Sequence, residues 1–152
     1  RHTMQYGRFY RQRTGNIHQW TVAEEDGSRA VGLIMQELAE PNTQRENYNA
    51  AGLIDDELYH IYNRNLRYNV KEFGDLINTA APVHIRQGSI LHNMVAKFVT
   101  MPGEIEDYEL YGDTLMNSGI RLKQAFAATG FSDEVRHFPD FASRLYFIEK
   151  KQ

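Results

Sequence analysis

The chain has 152 residues with no cysteine, 41% hydrophobic and 24% charged residues, and a formal charge of −3. That length and composition fit one folded domain rather than a disordered chain. The missing cysteines exclude thiol nucleophiles, cysteine-ligated zinc, iron–sulfur clusters and disulfides.

No run of 18 apolar residues appears, so a membrane-spanning helix is not expected, and the polar, aromatic start does not read as a signal peptide. The opening Arg1-His2-Thr3-Met4 reads as a vector remnant with Met4 as the natural start. The lack of cysteine points to a cytoplasmic or other reducing compartment. Charge is unevenly spread: residues 1–22 hold Arg1, Arg8, Arg11 and Arg13 with no acidic residue, and the rest of the chain is acidic. A basic arm on an acidic body suits anionic partners or the acidic surface of a neighbouring copy.

In chain order, YGRFYRQ and NIHQWTV read as strands joined at Gly15-Asn16, because aromatic and β-branched residues flank a turn dipeptide. Asp26-Gly27 then returns the chain into RAVGLIM, either as a third strand or as a helix capped by Ser28 with Val31, Ile34 and Leu38 on one face. Pro41-Asn42 breaks the chain, and Thr43 caps a short helix that ends near Gly52. From Ile54 to about Ala80 the apolar residues step by three and four, which predicts a long helix with Asp55 and Asp56 at its start and Pro82 at its stop.

A further helix is predicted from about His84 or Ser89 to Thr100, burying Leu91, Met94, Val95 and Phe98 before Met101-Pro102-Gly103 breaks it. The next runs through Ile105, Tyr108, Tyr111 and Leu115, splits at Ser118-Gly119 and ends at Gly130. Ser132 caps a last helix, interrupted at Pro139, and RLYFIEKK either completes it or forms an edge strand. The expected fold is therefore one α+β, helix-dominated domain over residues 1–152. A β-hairpin or three-stranded meander with a basic arm (1–35) precedes four to five helices packed as a compact bundle (42–150).

Three groups of residues carry candidate functions. On the long helix, Tyr59, Tyr62, Asn63, Arg64, Arg67 and Tyr68 form a surface rich in tyrosine, amide and arginine, the composition of interface cores. In the arm, Arg8, Tyr10, Arg11, Arg13 and Trp20 combine guanidinium groups with rings, as nucleic-acid surfaces do. Glu57 with His60, and Glu134 with His137, are E-x-x-H pairs that a helix would place on one face. Doubled, that motif resembles the ligand set of ferritin-like di-metal bundles, which implies di-iron or di-manganese. About half an E-x-x-H is expected by chance in a chain of this composition, and Pro139 interrupts the helix that would carry the second pair.

The acidic residues Glu104, Glu106, Asp107, Glu109 and Asp113 lack calcium-loop spacing and read as a solvated helix face. Serine-hydrolase, P-loop, dinucleotide-binding and zinc-protease motifs are missing. The leading expectation is a non-enzymatic, cofactor-free interaction module that assembles with itself or within a larger complex, such as a phage or viral assembly. Nucleic-acid binding and the ferritin-like reading are the alternatives.

Overall fold

A computed structural model of the chain describes residues 2–39, 47–65, 67–69, 85–86, 88–98, 100–123 and 140–151. Its strands are β1 (Arg8–Thr14), β2 (Ile17–Ala23), β3 (Arg29–Gln36), β4 (Asn47–Tyr48), β5 (Leu58–Asn63), β6 (Arg67–Asn69), β7 (Thr100–Pro102), β8 (Asp107–Tyr111), β9 (Ile120–Arg121) and β10 (Ser143–Lys150). Its helices are α1 (His2–Tyr6), α2 (Ile90–Phe98) and α3 (Gly112–Asn117).

The chain divides into two compact units, one of Arg1–Arg64 with Ile105–Gln152 and the other of Asn65–Glu104. The first is built on a six-stranded antiparallel sheet in the order β1-β2-β3-β10-β5-β8, with β4 and β9 paired beside it. The second contains the antiparallel pair β6–β7 and α2, whose first turn is capped where the His92 amide donates to Ser89 Oγ at 3.1 Å.

Local chemistry accounts for the meander β1–β2–β3. Gly15 (φ 56°) stands first in the two-residue loop between β1 and β2, and Gly27 (φ 67°) lies in the turn before β3; left-handed backbone favours glycine at both. Ser28 donates its amide and hydroxyl to Asp26 Oδ1 at 2.9 and 2.7 Å, which closes the second turn. Along β3 buried and half-buried residues alternate, which settles residues 29–36 as a strand and not a helix.

The helix-dominated expectation is overturned: among the described residues the fold is mostly β, with three short helices. Residues 58–63, expected in the long helix, are β5, and none of the described residues from 54 to 69 is helical. Apolar positions 58, 61 and 62 fit a helical face, but LYHIYN also alternates as a strand, and ladders with β10 and β8 on its two sides satisfy its backbone. For the same reason residues 107–111 form β8 instead of a helix. The predicted helix ending at Gly52 meets β4 instead, at Asn47–Tyr48. RLYFIEKK lies in neither a helix nor an edge strand: β10 is central, between β3 and β5. The predicted helical stretches at 70–84 and 124–139 lie outside the described residues.

One face of the sheet carries the core. Ala30, Ile34, Ile61, Tyr146 and Ile148 point into it, against Tyr48, Ala50, Leu53, Leu115, Ile120 and Leu122 from the segments that cross it. Tyr48 is the central piece. Its ring stacks on Tyr146 at 4.8 Å, and its hydroxyl bonds Thr21 Oγ1 at 2.8 Å. Gly32 lies beneath that hydroxyl, where a Cβ would come within 1.9 Å of Tyr48 Oη. The absence of a side chain at position 32 is what lets Tyr48 lie flat on the sheet.

Candidate functional site

The most concentrated polar chemistry in the first unit is a buried cluster around Glu106, just before β8. Its side chain is 0% exposed, which corrects the reading of Glu106 as part of a solvated acidic face. Arg144 Nη1 donates to Glu106 Oε2 at 2.7 Å, Tyr146 donates its hydroxyl to the same oxygen at 3.0 Å, and the Lys123 amide donates to Oε1 at 2.5 Å. The Glu106 amide donates to Asn63 Oδ1 at 3.0 Å, and the Asn63 amide returns to the Glu106 carbonyl at 3.0 Å. The cluster therefore joins β5, β10 and the approaches to β8 and from β9. Both carboxylate oxygens are occupied by protein donors and the side chain is sealed from solvent, so the arrangement holds strands together and presents no acid to a substrate.

Burial also governs the tyrosines here. Desolvation, then the nearby Glu106 carboxylate, pushes the Tyr146 phenol far above its ordinary value of 10.0; desolvation does the same to Tyr48. Both stay protonated in the folded state at pH values where an unfolded phenol ionises. Their contribution to stability is full below pH 10 and is lost as pH rises above it. Stability to urea should then fall by about 1.4 kcal/mol per pH unit for each tyrosine held protonated. Tyr146→Phe should flatten this alkaline loss, measured by urea midpoints on both sides of the phenol value; an unchanged slope would show that Tyr146 is not one of the groups responsible.

The expected interface residues do not share a surface. Tyr59 is fully buried, donating its hydroxyl to the Gly27 carbonyl at 2.8 Å and accepting from the Ile54 amide at 3.0 Å. Asn63 is buried in the Glu106 cluster, whereas Tyr62 lies on the opposite face of β5, half-buried against Phe147 with ring centroids 5.5 Å apart. Arg64 is exposed just past β5, and Arg67 is exposed in β6, which also contains Tyr68.

The arm residues lie on β1, an edge strand, and on β2 beside it. Arg8, Arg11 and Arg13 are exposed, and Arg13 Nη2 lies 3.5 Å from Glu37 Oε2. Tyr10 turns to the core side, while Arg11 stands in register with Trp20 on the other face. The expected guanidinium and aromatic surface is thus split between the two faces of the sheet.

The first E-x-x-H pair also comes apart, because Glu57 lies in the bend before β5 and His60 on the strand, so no helix places them on one face. Glu57 Oε1 meets Lys150 Nζ at 3.4 Å, and His60 Nε2 meets Asp107 Oδ1 at 2.8 Å. Glu134 and His137 lie outside the described residues. Among the described residues no group of three or more histidine, aspartate or glutamate side chains is placed to hold a metal ion.

Sequence reasoning missed Glu106, Arg144 and Tyr146 as a unit. The one available signal was the alternation of SRLYFIEK, which puts Arg144, Tyr146 and Ile148 on one face once it is read as a strand.

Residues 17–148 match the family described as the glycosyl hydrolase family 36 C-terminal domain. Among solved structures, the α-galactosidase from Lactobacillus brevis is 21% identical with a TM-score of 0.56, over 99% of this chain and 14% of that one. The family 36 α-galactosidase AgaA from Geobacillus stearothermophilus, as the A355E D548N variant in complex with raffinose, is 18% identical with a TM-score of 0.55, over 98% of this chain and 14% of that one. The chain therefore spans about a seventh of the length of these structures, and the likeness establishes a shared fold. No curated protein matches the chain. The family match overturns the expectation of a non-enzymatic interaction module that assembles with itself or within a larger complex such as a phage or viral assembly, and with it the nucleic-acid-binding and ferritin-like alternatives. No helix among the described residues is long and apolar enough to cross a membrane.

Proposed function

The chain belongs to the family of glycosyl hydrolase family 36 C-terminal domains, and on that premise we propose that it is the accessory β-domain of a glycoside hydrolase acting on α-galactosides. The observation that carries this reading is the match over residues 17–148, which takes in β2 through β10 almost whole. The chemistry of the first unit supports it. Glycoside hydrolysis needs two carboxyl groups converging on one glycosidic bond from an accessible site. Glu106 is sealed, Glu57 and Glu109 meet Lys150 and Lys151, and Asp107 meets His60. Each of these described groups is held by a partner on the sheet. On this reading the bond-breaking pair lies elsewhere in the polypeptide, and this domain contributes stability to the part that carries it.

The test is made in the natural polypeptide that contains this chain, assayed for hydrolysis of a p-nitrophenyl α-galactoside. Asp107→Asn and Glu109→Gln should leave kcat within about twofold of the parent, because neither touches substrate. Removal of residues 8–151 should lower the yield of folded, active enzyme. If either carboxylate variant abolished turnover while remaining folded, the accessory role would be wrong; if no galactoside were hydrolysed at all, so would the substrate class.

A further inference from the structure

Resting on that reading, we infer that Phe141, in the turn that leads into β10, is a stacking platform for the pyranose ring of a galactoside. Among the described residues Phe141 is the one non-glycine residue with left-handed backbone, at φ 55°. The other left-handed positions, Gly15, Gly27, Gly52, Gly88 and Gly119, are all glycine. A Cβ makes that conformation costly, and a bulky side chain makes it a true outlier.

The turn is held in this shape from both sides. The Phe141 amide donates to the Glu37 carbonyl at 3.1 Å, and the Gln36 amide donates to the Ala142 carbonyl at 2.9 Å. The Ala39 amide donates to Asp140 Oδ1 at 2.6 Å. The ring itself contributes nothing to the core: it is 75% exposed, whereas Tyr48, Tyr59 and Tyr146 are 0% exposed. Glycine would fit the same turn without strain. A single exposed aromatic residue is ordinary, but one held out of the core at a conformational cost is the mark of a contact with something outside the domain.

The groups around the turn select a sugar. Asp140 is exposed, and its Oδ1 is engaged by the Ala39 amide while Oδ2 has no described partner. Glu37, whose carbonyl holds the turn, places its carboxylate 2.6 Å from His18 Nε2 and 3.5 Å from Arg13 Nη2, the latter an exposed pair. A galactopyranose has one face of C–H groups and hydroxyls around its rim. The electron-rich face of the Phe141 ring attracts the C–H groups, and the carboxylates accept from the hydroxyls. A purely apolar partner would strip water from these charged groups and return no hydrogen bond. The platform is open rather than a closed pocket, so it suits a remote sugar unit of an oligosaccharide, held at about millimolar affinity, and not the bond that breaks.

Raffinose is the probe. Its binding to the 152-residue chain, followed by saturation-transfer NMR, should saturate with a dissociation constant of about a millimolar. Phe141→Gly relieves the left-handed strain, so it should melt at or above the temperature of the parent while binding raffinose about tenfold more weakly. No saturable binding, or equal binding by parent and Phe141→Gly, would overturn the platform. So would a Phe141→Gly chain that melts several degrees lower, which would assign the ring to the domain's own packing. In the natural polypeptide that contains the chain, hydroxyl-radical labelling of Phe141 should fall when raffinose is added. A ring equally protected with and without the sugar would belong to a contact within that polypeptide, and the inference would fail. None of these readouts depends on turnover, so raffinose held at Phe141 in a polypeptide that hydrolyses no galactoside would refute the proposed activity and leave the platform standing.

Discussion

Gly32→Ala is expected to destabilise the chain by about 3 kcal/mol or more, the upper range for forcing an extra carbon into a packed core. The added Cβ would lie 1.9 Å from Tyr48 Oη and 2.3 Å from Tyr48 Cζ. Tyr48 has no free space to retreat into, because its ring stacks on Tyr146 and its hydroxyl is held by Thr21. Denaturant titration of the two proteins measures the loss. In the Gly32→Ala background, Tyr48→Phe removes the nearest atom but not the ring carbon behind it, so rescue should be partial at best. A Gly32→Ala protein within about 0.5 kcal/mol of the parent would mean that Tyr48 does not lie on the sheet as described.

Glu106→Gln should cost about 3–5 kcal/mol, the usual consequence of removing one partner of a buried ion pair. Arg144 is 1% exposed and would keep its charge in the interior without the carboxylate 2.7 Å away. Replacing both residues, as Glu106→Gln with Arg144→Met, should recover much of that loss, since no charge then stays buried. The double-mutant cycle separates coupling from simple loss of packing. If the double variant were as unstable as the two single losses added together, the pair would not act as a unit.

Neither effect could be read from the sequence, and the reason is separation along the chain. Glu106 meets Arg144 across 38 positions and Tyr146 across 40. In the sequence Glu106 is one of several acidic residues in a row, indistinguishable from Asp107 and Glu109, which are exposed. Gly32 is likewise an ordinary glycine in a hydrophobic run until Tyr48, 16 positions later, lies across it. The face assignments failed for a related reason. Tyr59, Tyr62 and Asn63 share a surface only if the backbone is helical; on a strand, Tyr59 and Asn63 point inward and Tyr62 outward.

Local chemistry alone did determine several things. The β1–β2 hairpin, the turn at Asp26-Gly27 and the Ser89-capped helix α2 stand on residues whose backbone preferences need no distant partner. The absence of cysteine rules out thiol chemistry in any fold. Tertiary structure decided the rest. LYHIYN and DYELY satisfy helical and strand spacing alike over five or six residues, and only the ladders from β10 to β5 and from β5 to β8 select the strand. β10 takes its central place by pairing with β3, Ser143 opposite Met35, more than 100 positions away. Backbone groups must find partners whatever their side chains prefer. Where periodicity is ambiguous, the long-range ladder that pairs the most of them wins.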